Sequence, residues 1–217
     1  MPAEPNHKLL YSLIGLAVLV NFTGLMVPLM DPDAGIYASV AKTMVQENDY
    51  VNLYFHDMDW LDKPHFPFWV TAFSFKIFGI HDWAYKLPGI LFMMMGAFYT
   101  YLFAKKYYNK TIAGWSVLIL LTALHILISN NDVRAEPYLT GLIIAAVYHF
   151  SRSLQKNWGW QLLAASFFTA CAVMTKGIFI LVPIGGALAG HLIISRNWKQ
   201  LFHWKWIVVL LLFAVFI

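Results

Sequence analysis

Apolar residues run along this chain in long stretches separated by short polar breaks. Runs over residues 9–30, 87–103, 112–129, 137–150, 160–175, 178–194 and 206–217 predict seven membrane helices. Several windows exceed the roughly 18 apolar residues that mark a transmembrane segment. The last run reaches Ile217 without a polar exit, so more protein is expected to follow. One long segment, residues 31–86, interrupts this pattern as an extended loop. Within it Ile36, Val40, Thr43 and Met44 recur at three- and four-residue spacing, which predicts a helix over 33–46 capped by Asp31 or Asp33. Residues 66–78 are aromatic and apolar and follow Pro64 and Pro67. They predict a helix lying at the membrane interface with Trp69 at headgroup depth, or else a buried half-helix.

Composition narrows the class. The chain has 217 residues, 60% hydrophobic and only 12% charged, with a mean hydropathy of +0.62. Soluble domains carry about 25% charged residues. This is a polytopic membrane protein. The net charge of +4 does not form one basic patch, because the basic residues fall between the apolar runs, so no nucleic-acid partner is expected. The single cysteine, Cys171, lies inside an apolar run and is expected to pack there. The first run is too long for a signal-peptide core and is expected to be a retained anchor.

Charge also sets the orientation. With Lys8 on the cytoplasmic side, the segments KKYYNK, SRSLQKN and SRNWKQLFHWK join it, and together they hold nine Lys and Arg. Ten of the eleven acids, Asp31 through Glu136, then fall on the opposite side. This agrees with the positive-inside rule at every turn. Asp82, Asp132, Glu136 and Lys176 are thereby expected to share a face with the long loop, on the periplasmic or extracellular side of a bacterial inner membrane.

Four clusters on that face could carry chemistry. DPDAGIY holds Asp31, Asp33 and Tyr37; LDKPHFPFW holds Asp62 and Lys63; NDVRAEP holds Asp132, Arg134 and Glu136; TKG holds Lys176. Carboxylates mixed with cations suit an anionic, phosphate-bearing substrate and a hydroxyl to be deprotonated. Each cluster also has a plain structural reading. Asp31 or Asp33 can serve as a helix cap. Lys63 can snorkel. Arg134 can pair with Asp132 or Glu136. Lys176 sits in an apolar turn, where a charge without a partner is costly. The loop residues His56, Asp57, Asp59 and His65 fit no strong metal-ligand spacing.

The order D-x-D-A-x-x-Y, then D-K-P with an aromatic run, then an acid heading the fourth span, then T-K-G, resembles the GT-C membrane glycosyltransferases. The resemblance is strongest to the branch holding the protein O-mannosyltransferases and the lipid A aminoarabinose transferases. It implies an all-α polytopic bundle with a long extracytoplasmic first loop containing interfacial helices. It also implies transfer of a sugar from a polyprenyl-phosphate carrier to a lipid, glycan or protein acceptor, with no nucleotide cofactor. In that light Asp33 would act as base or hold a divalent metal, with Asp31 as the alternative. Lys63 and Lys176 would meet the carrier phosphate, as would Arg134. Glu136 takes the second acidic position, where the family more often has Asp, and Asp132 could substitute. Asp62 and Tyr37 would support the site. A transporter or flippase for a lipid-linked anion, or a non-catalytic binding subunit, would use the same cations without chemistry. Against a transporter, the polar residues gather at one interface and no Gly/Pro-broken repeat appears.

Overall fold

The fold is taken from a computed structural model and is described for residues 7–30, 32–56, 58–155 and 159–217. Asp31, Asp57 and Lys156 lie outside the described residues. The chain divides into two compact units, one of Met1–Leu61 with Pro67–Gly141 and one of Asp62–Phe66 with Leu142–Ile217.

In the first unit, α1 (His7–Thr23) continues into a 3₁₀ turn at Gly24–Met26. The helix stops short of residue 30 because Pro28 has no N–H to donate and forces Val27 into an extended conformation (φ −88°, ψ 133°). The long loop folds into α2 (Pro32–Glu47), a two-stranded hairpin of β1 (Tyr54–Phe55) and β2 (Met58–Asp59), and α3 (Phe66–Phe78). Pro32 opens α2, a position that needs no donor. Along α3, Phe68, Thr71, Ala72 and Phe75 are buried while Phe73 and Ile77 are exposed, so one apolar face packs inward. The long helix α4 (Asp82–Tyr107) comes next.

The apolar run over 112–129 predicts one helix, and the structure has two. α5 (Lys110–Thr122) and α6 (Leu124–Asn131) meet at a 54° bend. No proline or glycine stands at the break; instead the Asn21 side chain enters it. Its Nδ2 donates to Leu121 O at 2.9 Å and to Ala17 O at 2.8 Å. A side chain inserted into the i→i−4 ladder is a recognised cause of such kinks. The buried Asn130 completes the network by donating Nδ2 to Asn21 Oδ1 at 2.5 Å. Below this polar knot, Ala17, Ala97, Val117 and Leu121 form an apolar cluster joining α1, α4 and α5.

α7 (Ala135–Ser153) runs from the first unit into the second. At Gly141 it meets α4, where an added Cβ would stand 2.2 Å from Phe92 O. The second unit holds the rest of α7 with α8 (Gly159–Lys176), a 3₁₀ turn at Ile178–Ile180, α9 (Leu181–Ile194), the single turn α10 (Trp198–Leu201) and α11 (Lys205–Phe216). The buried face of α8 is rich in Ala, Ser and Thr, which lets helices approach closely. Lys205 is buried and bonds Gln200 Oε1 at 2.5 Å and Ser153 O at 3.3 Å.

By length and apolar composition, three helical segments among the described residues can cross a membrane: His7–Met26, Asp82–Tyr107 and Trp198–Phe216. A fourth counts if α5 and α6 form one broken span. The apolar pattern predicts seven. α7 and α8 are 19 and 18 residues long, but polar groups such as the paired His149 and Gln161 (2.7 Å) lower their apolar content.

Candidate active site

The polar face of the first unit is built from the start of α2 and the approach to α7. Asp33 lies in the first turn of α2, where a carboxylate is favoured by the helix dipole. Its Oδ2 accepts from Arg134 Nη1 at 3.2 Å, across 101 residues of chain. The same guanidinium lies beside Asp132, with Nε 3.7 Å from Oδ2, an ion-pair distance that is longer than a hydrogen bond. Arg134 therefore bridges two carboxylates predicted for the site, and the partner that local spacing does not suggest is Asp33. Glu136 follows in the first turn of α7, half-buried, and its backbone carbonyl accepts from Thr140 Oγ1 at 2.9 Å.

Tyr37 stands one turn beyond Asp33 and is buried among aromatic rings. Its centroid is 5.2 Å from Phe68 and 5.8 Å from Trp60, and those two are 5.2 Å apart, all edge-on. Such pairs add to the stabilisation from burial. Trp60 and Phe68 flank the Asp62-Lys63-Pro64 stretch in the chain. This triad, which no local pattern in the sequence announces, fixes α2 against α3 within the first unit.

In the second unit, Lys63 Nζ donates to the neighbouring Asp62 Oδ2. Lys63 is half-buried and Asp62 exposed. Lys176 is the last residue of α8, also half-buried, and Gly177 follows it. Gly177 has φ +106°, which a side chain would strain, and its N–H caps Val173 O at 2.7 Å. The TKG sequence is thus a helix stop that leaves its lysine at the tip. Asp31 lies outside the described residues.

For the divalent metal expected at Asp33, the donor set is a poor match. No three His, Cys, Asp or Glu side chains among the described residues group in a way that could hold a metal ion. The Asp33 carboxylate already bears a guanidinium.

Residues 62–217 match a family described as dolichyl-phosphate-mannose-protein mannosyltransferase. The chain belongs to this family. Within the mannosyltransferase family match lie Lys63, Asp132, Arg134, Glu136 and Lys176, whereas Asp33 precedes it. The undecaprenyl phosphate-α-4-amino-4-deoxy-L-arabinose arabinosyl transferase of Shewanella sediminis (strain HAW-EB3) is 25% identical over 94% of this chain and 40% of its own length. The enzyme of the same name from Erwinia tasmaniensis is 25% identical over 80% of this chain and 32% of its own length. The chain thus spans about a third to two fifths of these relatives. The crystal structure of ArnT from Cupriavidus metallidurans in the apo state superposes with a TM-score of 0.87 at 20% identity, over 98% of this chain and 41% of that one. The same protein bound to undecaprenyl phosphate gives 0.83 over 97% of this chain. The fold is therefore the all-α membrane fold of GT-C type, and the mannosyltransferase family member described here is a multi-pass integral membrane protein.

Proposed function

We propose that this protein transfers a sugar from a polyprenyl-phosphate carrier to an acceptor hydroxyl. The observation that carries the proposal is the Asp33–Arg134 pair, which brings the first-loop carboxylate to the polar head of α7. The names of the relatives favour an undecaprenyl-phosphate-linked aminopentose over a hexose as the donor. The acceptor is a lipid, glycan or protein. The charge asymmetry of the loops supports an extracytoplasmic site in a bacterial inner membrane.

In this mechanism the acceptor oxygen attacks the anomeric carbon while the bond from that carbon to the carrier phosphate breaks, its electron pair leaving on the phosphate. The hydroxyl proton passes to Asp33, which Arg134 holds in orientation. Lys63 and Lys176 compensate the charge that develops on the departing phosphate. A phosphate leaves readily, so charge compensation matters more than a general acid. Glu136, Asp132, Asp62 and Tyr37 support these groups. No step runs through a metal.

The test is transfer of radiolabel from undecaprenyl-phosphate-linked sugar to endogenous acceptor in membranes containing the complete protein. Transfer by wild type and its loss in a folded Asp33→Asn variant are expected. Equal transfer by both would remove Asp33 from the mechanism and turn attention to Asp31. Donor binding without transfer by either would favour the transporter or binding-subunit reading.

A further inference from the structure

The first turn of α4 spends three side chains on distant backbone. Lys86 is fully buried. Its Nζ donates to Val27 O at 2.7 Å, Gly24 O at 3.2 Å and Pro28 O at 3.4 Å. Asp82 Oδ2 accepts from Leu29 N at 3.2 Å. Tyr85, also buried, donates its hydroxyl to Val133 O at 2.5 Å. Ser74 of α3 donates to Ala84 O on the same turn at 2.5 Å. Gly89, one turn along, leaves room for Val133, whose Cγ1 would stand 2.4 Å from an added Cβ.

The two segments held this way matter. The first, 24–29, ends four residues before Asp33. The second centres on Val133, between Asp132 and Arg134. Past α1 the local backbone supplies few donors: Pro28 brings no N–H, and the Val27 N–H is used on Gly24 O at 3.3 Å, so Lys86 adds a second donor there and serves Val27 O and Pro28 O as well. A cation is the favoured partner at such a C-terminus. A buried ammonium in an apolar helix is tolerable only with acceptors of this kind.

Resting on the transferase reading, we propose that Lys86 and Tyr85 are positioning residues for the reaction. Lys86 sets the backbone that carries Asp33, and Tyr85 sets the backbone that carries Arg134. Both bonds originate on adjacent residues of one helix, so the separation of the two catalytic-face segments is fixed by α4. Neither residue reacts. Displacing either segment by about 1 Å is enough to lower a rate by up to about a hundredfold.

The experiment compares wild type, Lys86→Met, Lys86→Arg and Tyr85→Phe in the complete protein, using radiolabelled undecaprenyl-phosphate-linked sugar as donor. Rates are normalised to folded protein, and hydrogen exchange is followed over residues 27–34 and 132–137. Lys86→Met is expected to lower kcat by at least about tenfold with KM for the donor little changed, and to speed exchange over 27–34. Lys86→Arg should recover most of the rate, because a guanidinium still donates to the same carbonyls. Tyr85→Phe removes one hydroxyl and little volume, so it folds, and it should speed exchange at 132–137 while lowering kcat. A role confined to holding the fold would reduce the amount of folded protein and leave kcat intact. That result, or exchange unchanged at the two segments, would overturn the proposal. If wild type transfers no sugar, the transferase reading fails, and the exchange data alone still decide whether Lys86 and Tyr85 hold these segments.

Discussion

Gly141→Ala is the sharpest structural test of how α7 is held against α4. An alanine Cβ at 141 would stand 2.2 Å from Phe92 O, 3.0 Å from Phe92 C and 3.2 Å from Met95 Cε. The first neighbour is backbone and cannot rotate away. Two effects of opposite sign compete. Replacing glycine inside a helix with alanine gains at most about 1 kcal/mol from propensity. Overpacking against an unyielding neighbour costs about 1–3 kcal/mol, and a contact this short belongs at the upper end. The net expectation is a loss of about 2 kcal/mol. For a chain of this size that lowers the thermal midpoint by about 4–8 °C. Gly96→Ala meets Gly141 Cα at 3.2 Å and Gly141 N at 3.3 Å, so a shift of a few tenths of an ångström accommodates it and the loss should be smaller. Gly15→Ala in α1 meets nothing within 4 Å and serves as the control, neutral or slightly stabilising. Thermal unfolding of the purified protein in detergent gives the order directly. A Gly141→Ala midpoint equal to that of Gly15→Ala would refute the close approach of α4 and α7.

Three further outcomes are expected. Arg134→Gln should lower sugar transfer by more than about tenfold while costing about 1–3 kcal/mol in stability, because its pair with Asp33 is partly exposed and its contact with Asp132 more buried; a loss of stability with the transfer rate per folded protein unchanged would count against a functional pair. Asn21→Leu orphans Leu121 O and the Asn130 amide, so unfolding should show a loss of roughly 2–4 kcal/mol, and a neutral result would mean the α5–α6 bend does not depend on Asn21. Hydrogen bonds from the Asn52 backbone and side chain and from the Val51 N–H hold the Asp49 carboxyl below its ordinary value of 3.8, so the turn is stabilised by the charged form above that pH and loosens as pH falls through the depressed value. Protection of the Val51 and Asn52 amides, taken relative to intrinsic exchange at each pH, should follow that curve and lose this pH dependence in Asp49→Asn.

Local pattern carried a good part of the architecture. α2 and α3 show in the spacing of Ile36, Val40 and Met44 and in the aromatic run after Pro64, because each helix is encoded within its own segment. The glycine of TKG likewise marks its own helix stop. What escaped the sequence depends on partners far along the chain. Nothing near Ala123 announces a bend, since its cause, Asn21, lies 100 residues from the carbonyl it takes. Nothing near Arg134 favours Asp33 over the adjacent acids. Lys86 looks like an ordinary charge at the edge of an apolar run until Gly24, Val27 and Pro28 are seen around it. The aromatic triad escaped for the same reason: Tyr37, Trp60 and Phe68 are unremarkable singly in a chain with 17% aromatic residues.

The bonds of Lys86 and Tyr85 also impose an order of assembly during synthesis. The carbonyls that receive Lys86 belong to chain made some 60 residues earlier, so they are already present when α4 emerges from the ribosome. The acceptor for Tyr85 is made 48 residues later, about 2–10 s at ordinary rates of translation. The segment leading to Asp33 is therefore tethered while Arg134 has yet to be made. A nascent chain stalled before Val133 would hold the first half of the polar face in place, waiting for its second half.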